Sequence, residues 1–294
     1  MTSKGSTKVY LSTEDRVVDP ADAKVSVFDR GFLYGDSIYE TMRTAGGGKP
    51  VELERHLERL ARSGDGIFMD LPLPADALGA LIARTHEATG NDESYVRLMI
   101  TRGAGPIGLD PRKSDAPTIV IVAQPLELPS EETYARGLAA VLVNVDKAGG
   151  GLVDPGIKTG NYLSNIIALR EAIAKGGDDA ILVTSAGEVA EGATSNVFAV
   201  TQGRLCTPHL HAGLLAGITR QVVCELAAEI GHPAHACTVH PNALCGASEV
   251  FLTSSVRGIM PVTSIDGTVV GGGGVGPVTT ALRARYEAYI SSYG

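Results

Sequence analysis

Two periodicities alternate along this chain. YVRLMIT (95–101) and TIVIVAQ (118–124) are short apolar runs rich in β-branched residues and predict strands; 22–29 and 38–44 read the same way. Glu52–Asp65 places Leu53, Leu57, Leu60 and Ala61 on one helical stripe, and a second helix spans 75–89, stopping at Gly90-Asn91. Further on, strands are predicted at 138–145, 179–184, 195–201 and 249–253, and helices at 161–175, 218–230 and from 277. The helices are too few and irregular for a regular parallel βαβ series, so the fold class is α+β. The acidic, proline-bounded PLELPSEETY suits a connector, which gives domains at 1–123 and 134–294 joined by a loop at 124–133. A length of 294 residues is comfortable for two domains.

Composition narrows the function more than the fold. A net charge of −8 without any basic run argues against nucleic acid as a partner. No stretch approaches the roughly 20 apolar residues of a membrane helix, and MTSKGSTKVY lacks the design of a signal peptide. The four cysteines show no C-x-x-C spacing, so reduced thiols in a cytoplasmic protein are expected.

Several tempting motifs fail. GAGPIG (103–108) spells a dinucleotide loop, but the proline-rich LDPRKSDAP after it cannot open the required helix. HPAHACTVH (232–240) gathers possible zinc ligands at none of the usual spacings, so no metal is expected and an edge strand is the default. No G-x-S-x-G elbow supports a serine hydrolase.

Four features carry chemistry together. Lys158, in IKTGNYLSNIIALREA, follows a Gly-Pro-rich loop at the lip of a helix carrying Ile166, Ile167, Leu169 and Ile173. Lysine is the residue that forms imines with aldehydes, and partial burial favours the free amine. Glu191, in GEVAEGATSNVFAV, can pair with a protonated pyridine nitrogen and keep such a ring electron-withdrawing. Gly217, Ile218 and Thr219 open an amphipathic helix whose free N–H groups suit a phosphate. His56 and Arg59 lie three apart on one helical face, where Arg59 can clamp an anion with two N–H groups. Each alone also reads as a solvated lysine, a turn glutamate, a helix cap or a surface ion pair.

In order, DRGFLYGDSIYETMR (29–43), ERHLERL, YVRLMITRG (95–103), IKTGNYLSN, EGATSNVF, LAGITRQVV, EVFLTSSVRGIMPV (249–262) and VGPVTTALR (275–283) resemble the class IV aminotransferases, and most nearly the branched-chain branch. The resemblance implies a fold type IV enzyme of two α/β domains with pyridoxal 5'-phosphate at their interface. It puts the imine lysine, which is also the acid–base, on Lys158 and the pyridinium-pairing glutamate on Glu191. Phosphate contacts fall on Arg59, Ile218, Thr219 and Ser255, and a contact to the cofactor's phenolic oxygen on Tyr162. Tyr34, Tyr39, Arg43, Tyr95, Arg97 and Val256 are implied as substrate residues, with Arg97 suited to a glutamate side chain and the tyrosines to Leu, Ile or Val. Arg257 is an extra charge in the turn TSSVRG (253–258), suited either to a substrate carboxylate or to solvent. The family also implies a homodimer in which Leu109 and GPIGLDP (105–111) are lent to the neighbour's site. Its substrates are amino acids and keto acids, here a branched-chain L-amino acid and 2-oxoglutarate. DRGFLYGD and TRG are also close to the D-amino-acid enzymes, and RGIMPVTSIDG resembles the (R)-amine transaminases; aminodeoxychorismate lyase is a further relative.

Overall fold

A computed structural model describes residues 5–114, 116–145 and 154–293. The chain forms two compact units. The first comprises the chain through Glu127, the short segment Ile157–Asn161 and the residues from Ile290 onward; the second comprises the stretches between. The sequence instead suggests that 157–161 and the C-terminus belong with the second domain. Backbone pairing explains the difference for the internal segment, as described below.

The first unit is built on a six-stranded antiparallel sheet. Its strands are β1 (Lys8–Leu11), β2 (Arg16–Val18), β3 (Ser37–Ala45), β4 (Lys49–Pro50), β5 (Ser94–Thr101) and β6 (Thr118–Pro125), in spatial order β2-β1-β6-β5-β3-β4. Helix α1 (Arg30–Tyr34) precedes β3, while α2 (Leu53–Gly66) and α3 (Ala75–Glu87) lie between β4 and β5. In β5 the alternation runs through Ile100: Ser94, Val96, Leu98 and Ile100 are buried, whereas Tyr95, Arg97 and Met99 are half-buried. The buried face joins Ile38 and Met42 of β3 and Ile119 and Ile121 of β6 in a core covered by Leu57 and Leu60 of α2 and Leu78 and Ile82 of α3. Burying each such side chain stabilises the fold by roughly 1.5–3 kcal/mol. On the opposite face, Val9, Leu11 and Val18 of β1 and β2 form a smaller cluster with Val120 and Val122 of β6.

The predicted strand at 22–29 does not form. Its alternating Val25 and Val27 are exposed, as is Phe28, and the segment joins no strand of the sheet. Alternation alone cannot tell a strand from an extended segment without a neighbour.

The second unit carries a nine-stranded mixed sheet and five helices among the described residues. Its elements are α4 (Glu131–Arg136), β7 (Leu138–Asn144), α5 (Leu163–Ala174), β8 (Asp179–Val183), β9 (Val189–Gly192), β10 (Asn196–Thr201), β11 (Arg204–Pro208), α6 (Ile218–Glu229), β12 (Ala234–Cys237), α7 (Pro241–Cys245), β13 (Glu249–Ser254), β14 (Gly258–Ile265), β15 (Thr268–Val269) and α8 (Pro277–Ser291). The strands run β12-β11-β10-β13-β14-β7-β8-β9, with β15 paired to β14. Only β14–β7, β7–β8 and β11–β12 are parallel. Phe198 and Phe251, directly opposed across β10 and β13, stack at 4.9 Å and centre the sheet. HPAHACTVH contributes the edge strand β12, with His235 exposed.

Helix α5 departs from expectation in its packing. Its buried residues are Ala168 and Ala172, while Leu163, Ile166, Ile167 and Ile173 are exposed.

Candidate active site

The first unit assembles around Lys158. Its segment pairs with the edge of β3: Tyr39 N donates to Lys158 O (3.0 Å), and Gly160 N donates to Ser37 O (2.9 Å). From α2, Ser63 Oγ accepts from Lys158 N at 3.2 Å. The backbone on both sides of the lysine is thus fixed, and its ammonium stands 4.4 Å from the centre of the Tyr39 ring. Arg97 lies against the same ring at 3.9 Å. Register explains the grouping. Tyr39 opposes Met99, Thr41 opposes Arg97 and Arg43 opposes Tyr95. Directly opposed residues share a face, so Tyr39, Arg43, Tyr95 and Arg97 line the sheet face opposite the helices. Arg43 is buried, its Nε 3.4 Å from Thr44 O.

On the other face, Glu40 is fully buried. Its Oε1 accepts from Arg59 Nε at 2.8 Å, and its Oε2 accepts from Arg59 Nη2 at 2.7 Å and meets His56 Nδ1 at 2.7 Å. Burial pushes the Glu40 carboxyl up, but the Arg59 charge, its hydrogen bonds and His56 outweigh this and hold it at about 2. Burial pushes His56 down against the pull of Glu40. Residues 56 and 59 do share a helical face, but it is an inward one. A period-two strand pattern that hides a glutamate among Ile38 and Met42 was the signal available.

Tyr34 and Leu109 sit together elsewhere in this unit: the Tyr34 hydroxyl accepts from Gly108 N at 3.0 Å. Between these groups, Gly35 ends α1 with φ 68°, and a Cβ there would collide with Asn161 Oδ1.

The second unit gathers the other predicted residues. Glu191, buried on β9, accepts from Leu215 N at 3.0 Å, while Asn196 Nδ2 donates to Leu215 O at 2.9 Å. These bonds fix the turn leading into α6, whose first residues Ile218 and Thr219 are buried. No side chain caps that helix. Ser255 and Val256 are half-buried in the turn from β13 to β14, and Tyr162 is half-buried just ahead of α5. Arg257 has its own partner: Nη2 donates to the buried Asp179 at 2.9 Å, and Tyr134 Oη donates to Arg257 O at 2.7 Å.

Lys158 thus lies in the first unit, and Glu191 and the start of α6 lie in the second. The family model for amino-transferase class IV matches residues 37–265. The "Putative branched-chain-amino-acid aminotransferase" of Methanocaldococcus jannaschii is 36% identical over 288 residues, covering 98% of each chain. The D-alanine aminotransferase of Staphylococcus epidermidis is 33% identical over 289 residues, covering 98% of this chain and 99% of that one. Among solved structures, the branched-chain aminotransferase of Thermoproteus uzoniensis with norvaline matches with a TM-score of 0.88 at 31% identity, over 98% of this chain and 96% of that one. The chain belongs to the class IV aminotransferases and is a transaminase of the α+β fold type IV architecture.

Enzymes of this class use pyridoxal phosphate. The residues present fit it. Ser195 Oγ and Thr253 Oγ1 are buried and meet no partner among the described residues. Such hydroxyls cost free energy unless a ligand or water engages them.

Proposed function

We propose that this chain is a pyridoxal-phosphate aminotransferase that moves an amino group between a branched-chain L-amino acid and 2-oxoglutarate. The observation that carries this reading is the pair of cations on one ring, with Lys158 Nζ 4.4 Å and Arg97 3.9 Å from the centre of Tyr39. It sets an amine beside a guanidinium suited to a second carboxylate, within tyrosine walls suited to branched alkyl groups.

When bound, pyridoxal phosphate supplies an aldehyde for the amine and a ring that draws electrons from the substrate's α-carbon. Lys158 Nζ would anchor that aldehyde and, once released by the substrate amine, would serve as the base and acid that moves the substrate's α-proton. Positioned acid–base work of this kind contributes about 10²–10⁴-fold. Glu191 would pair with the ring nitrogen and favour its protonated form. Arg59, Ile218, Thr219 and Ser255 bind the phosphate, with Glu40 fixing the plane of the Arg59 guanidinium. Tyr162 meets the phenolic oxygen. Tyr34, Tyr39, Arg43, Tyr95, Arg97, Leu109 and Val256 line the substrate, Leu109 being lent by a second copy. Arg257, balanced by Asp179, serves by holding the turn that receives the substrate carboxylate.

The exposed apolar side chains of α5 and of the 105–111 loop support a homodimer. The four free cysteines suit the reducing cytoplasm.

The test has two parts. Purified protein given pyridoxal phosphate should turn yellow, and borohydride should fix an adduct on Lys158; a colourless protein without adduct would overturn the reading. Amino-donor profiling with L-leucine, L-glutamate, D-alanine, (R)-phenylethylamine and aminodeoxychorismate should then favour the first two. The 33% identity to a D-alanine aminotransferase favours D-alanine as the competing donor, and its conversion without that of L-leucine would replace the substrate assignment.

A further inference from the structure

The loop after β5 presents two bare apolar side chains, Ile107 at 77% exposure and Leu109 at 78%. Nothing in their packing holds them, yet the backbone beneath them is tied down. Arg30 N donates to Gly103 O at 2.9 Å, Gly105 N to Phe28 O at 3.2 Å, and Gly108 N to Tyr34 Oη at 3.0 Å. Arg30, only 4% exposed, reaches furthest into the loop: its Nη1 donates to Gly108 O at 2.7 Å and its Nη2 to Leu109 O at 3.2 Å. Its remaining edge donates through Nε to Asp36 Oδ2 at 3.1 Å. The same oxygen accepts from Arg102 Nε at 2.8 Å, and Arg102 donates through its other nitrogens to Ile67 O and Phe68 O. Two guanidinium groups therefore share one carboxylate, and the surplus positive charge is taken up by backbone carbonyls, two of them in the loop tip. A planar fork reaches two adjacent carbonyls and a carboxylate through three separate nitrogens; a lysine has a single nitrogen and lacks that spread.

We propose that Arg30 is a positioning residue for substrate selectivity: by clasping the Gly108 and Leu109 carbonyls it holds Leu109 as a fixed wall for the substrate side chain. This rests on the reading that Leu109 lines the substrate pocket. The physical logic is that a wall discriminates alkyl groups only while it keeps its place. A mobile wall retreats from a large group and advances on a small one, and the difference in binding is lost. Removing the fork frees the tip while Asp36 keeps Arg102, so the sheet beneath remains anchored.

The experiment uses the holoenzyme and three variants, Arg30→Lys, Leu109→Ala and the double variant. kcat/KM is measured for leucine and for alanine of the hand the enzyme prefers, alongside thermal melting and amide hydrogen exchange of the peptide covering the loop. We expect each single variant to lower the leucine-to-alanine ratio by about tenfold, the scale of one or two methylenes in a pocket. The double variant should fall no further than either single one, and Arg30→Lys should speed exchange in the loop with kcat for alanine nearly unchanged. If Leu109→Ala loses selectivity but Arg30→Lys does not, or if the two losses multiply, Arg30 does not act through the tip and the proposal fails. If Leu109→Ala leaves the ratio unchanged, the pocket assignment fails and takes this inference with it.

Discussion

Glu40 grips Arg59 edge-on, with one carboxylate oxygen 2.8 Å from Nε and the other 2.7 Å from Nη2, at a site closed to solvent. The geometry orients the guanidinium and neutralises it before any ligand arrives. Breaking such a pair from one side leaves a buried charge without compensation.

Glu40→Ala should therefore destabilise the protein by about 3–5 kcal/mol, while Glu40→Gln, which keeps one acceptor, should cost less. Both should release pyridoxal phosphate more readily on dialysis. Thermal melting of the cofactor-free protein separates the two effects, and an unchanged melting temperature for Glu40→Ala would contradict the pairing.

Acid should weaken the fold through the same cluster. The Glu40 carboxyl is held at about 2, below its ordinary 4.5, so its stabilisation is complete above 4.5 and drains as pH falls towards 2. His56, pushed below its ordinary 6.5, stays neutral in the folded chain while the unfolded chain takes up a proton below that value. Both contributions are lost in the same direction. Denaturant midpoints of the wild type should fall from pH 7 downward, and Glu40→Gln should flatten the limb between 4.5 and 2.

Gly35→Ala should be costly beyond its backbone strain. Left-handed φ costs an ordinary residue roughly 1–2 kcal/mol, and here the new methyl also meets Asn161 at the end of the lysine segment. Gly90 has the same φ of 68° with nothing within 4 Å, so Gly90→Ala should show the strain alone. Equal losses in the two variants would mean that the Asn161 contact does not matter.

Thr253→Val tests the second unit. The buried, unpartnered Oγ1 costs about 1–3 kcal/mol, so the cofactor-free variant should melt no lower than wild type while holding pyridoxal phosphate several-fold more weakly. A lower melting temperature without the cofactor would show that the hydroxyl already serves the fold.

Local periodicity made much of this architecture legible. Leu57 and Leu60 of α2, and the Val96–Leu98–Ile100 alternation of β5, bury themselves on the faces the sequence assigns. Tyr95 and Arg97 then follow by parity, since they stand between those core positions. Short or partnerless segments were not legible. KVYL and RVV are too brief to announce β1 and β2, and AKVSVFD announces a strand that it does not form. Nonlocal charge pairing was equally silent. Arg257 looked surplus because Asp179, its partner, lies 78 residues away, and Glu40 looked like an ordinary acidic residue beside a strand. Helix α5 shows a third limit: apolar residues lie all round it, and the sequence does not tell which of them stay exposed.

The pairing of 157–160 with β3 also orders events during synthesis. The ribosome completes β3 well before it makes Lys158, so for several seconds at ordinary translation rates Ser37–Tyr39 offer unpaired amides and carbonyls to any neighbouring nascent chain. Arrival of the lysine segment ends that hazard. A product truncated before that segment keeps the edge open, where quality control that recognises unpaired strand edges can act on it.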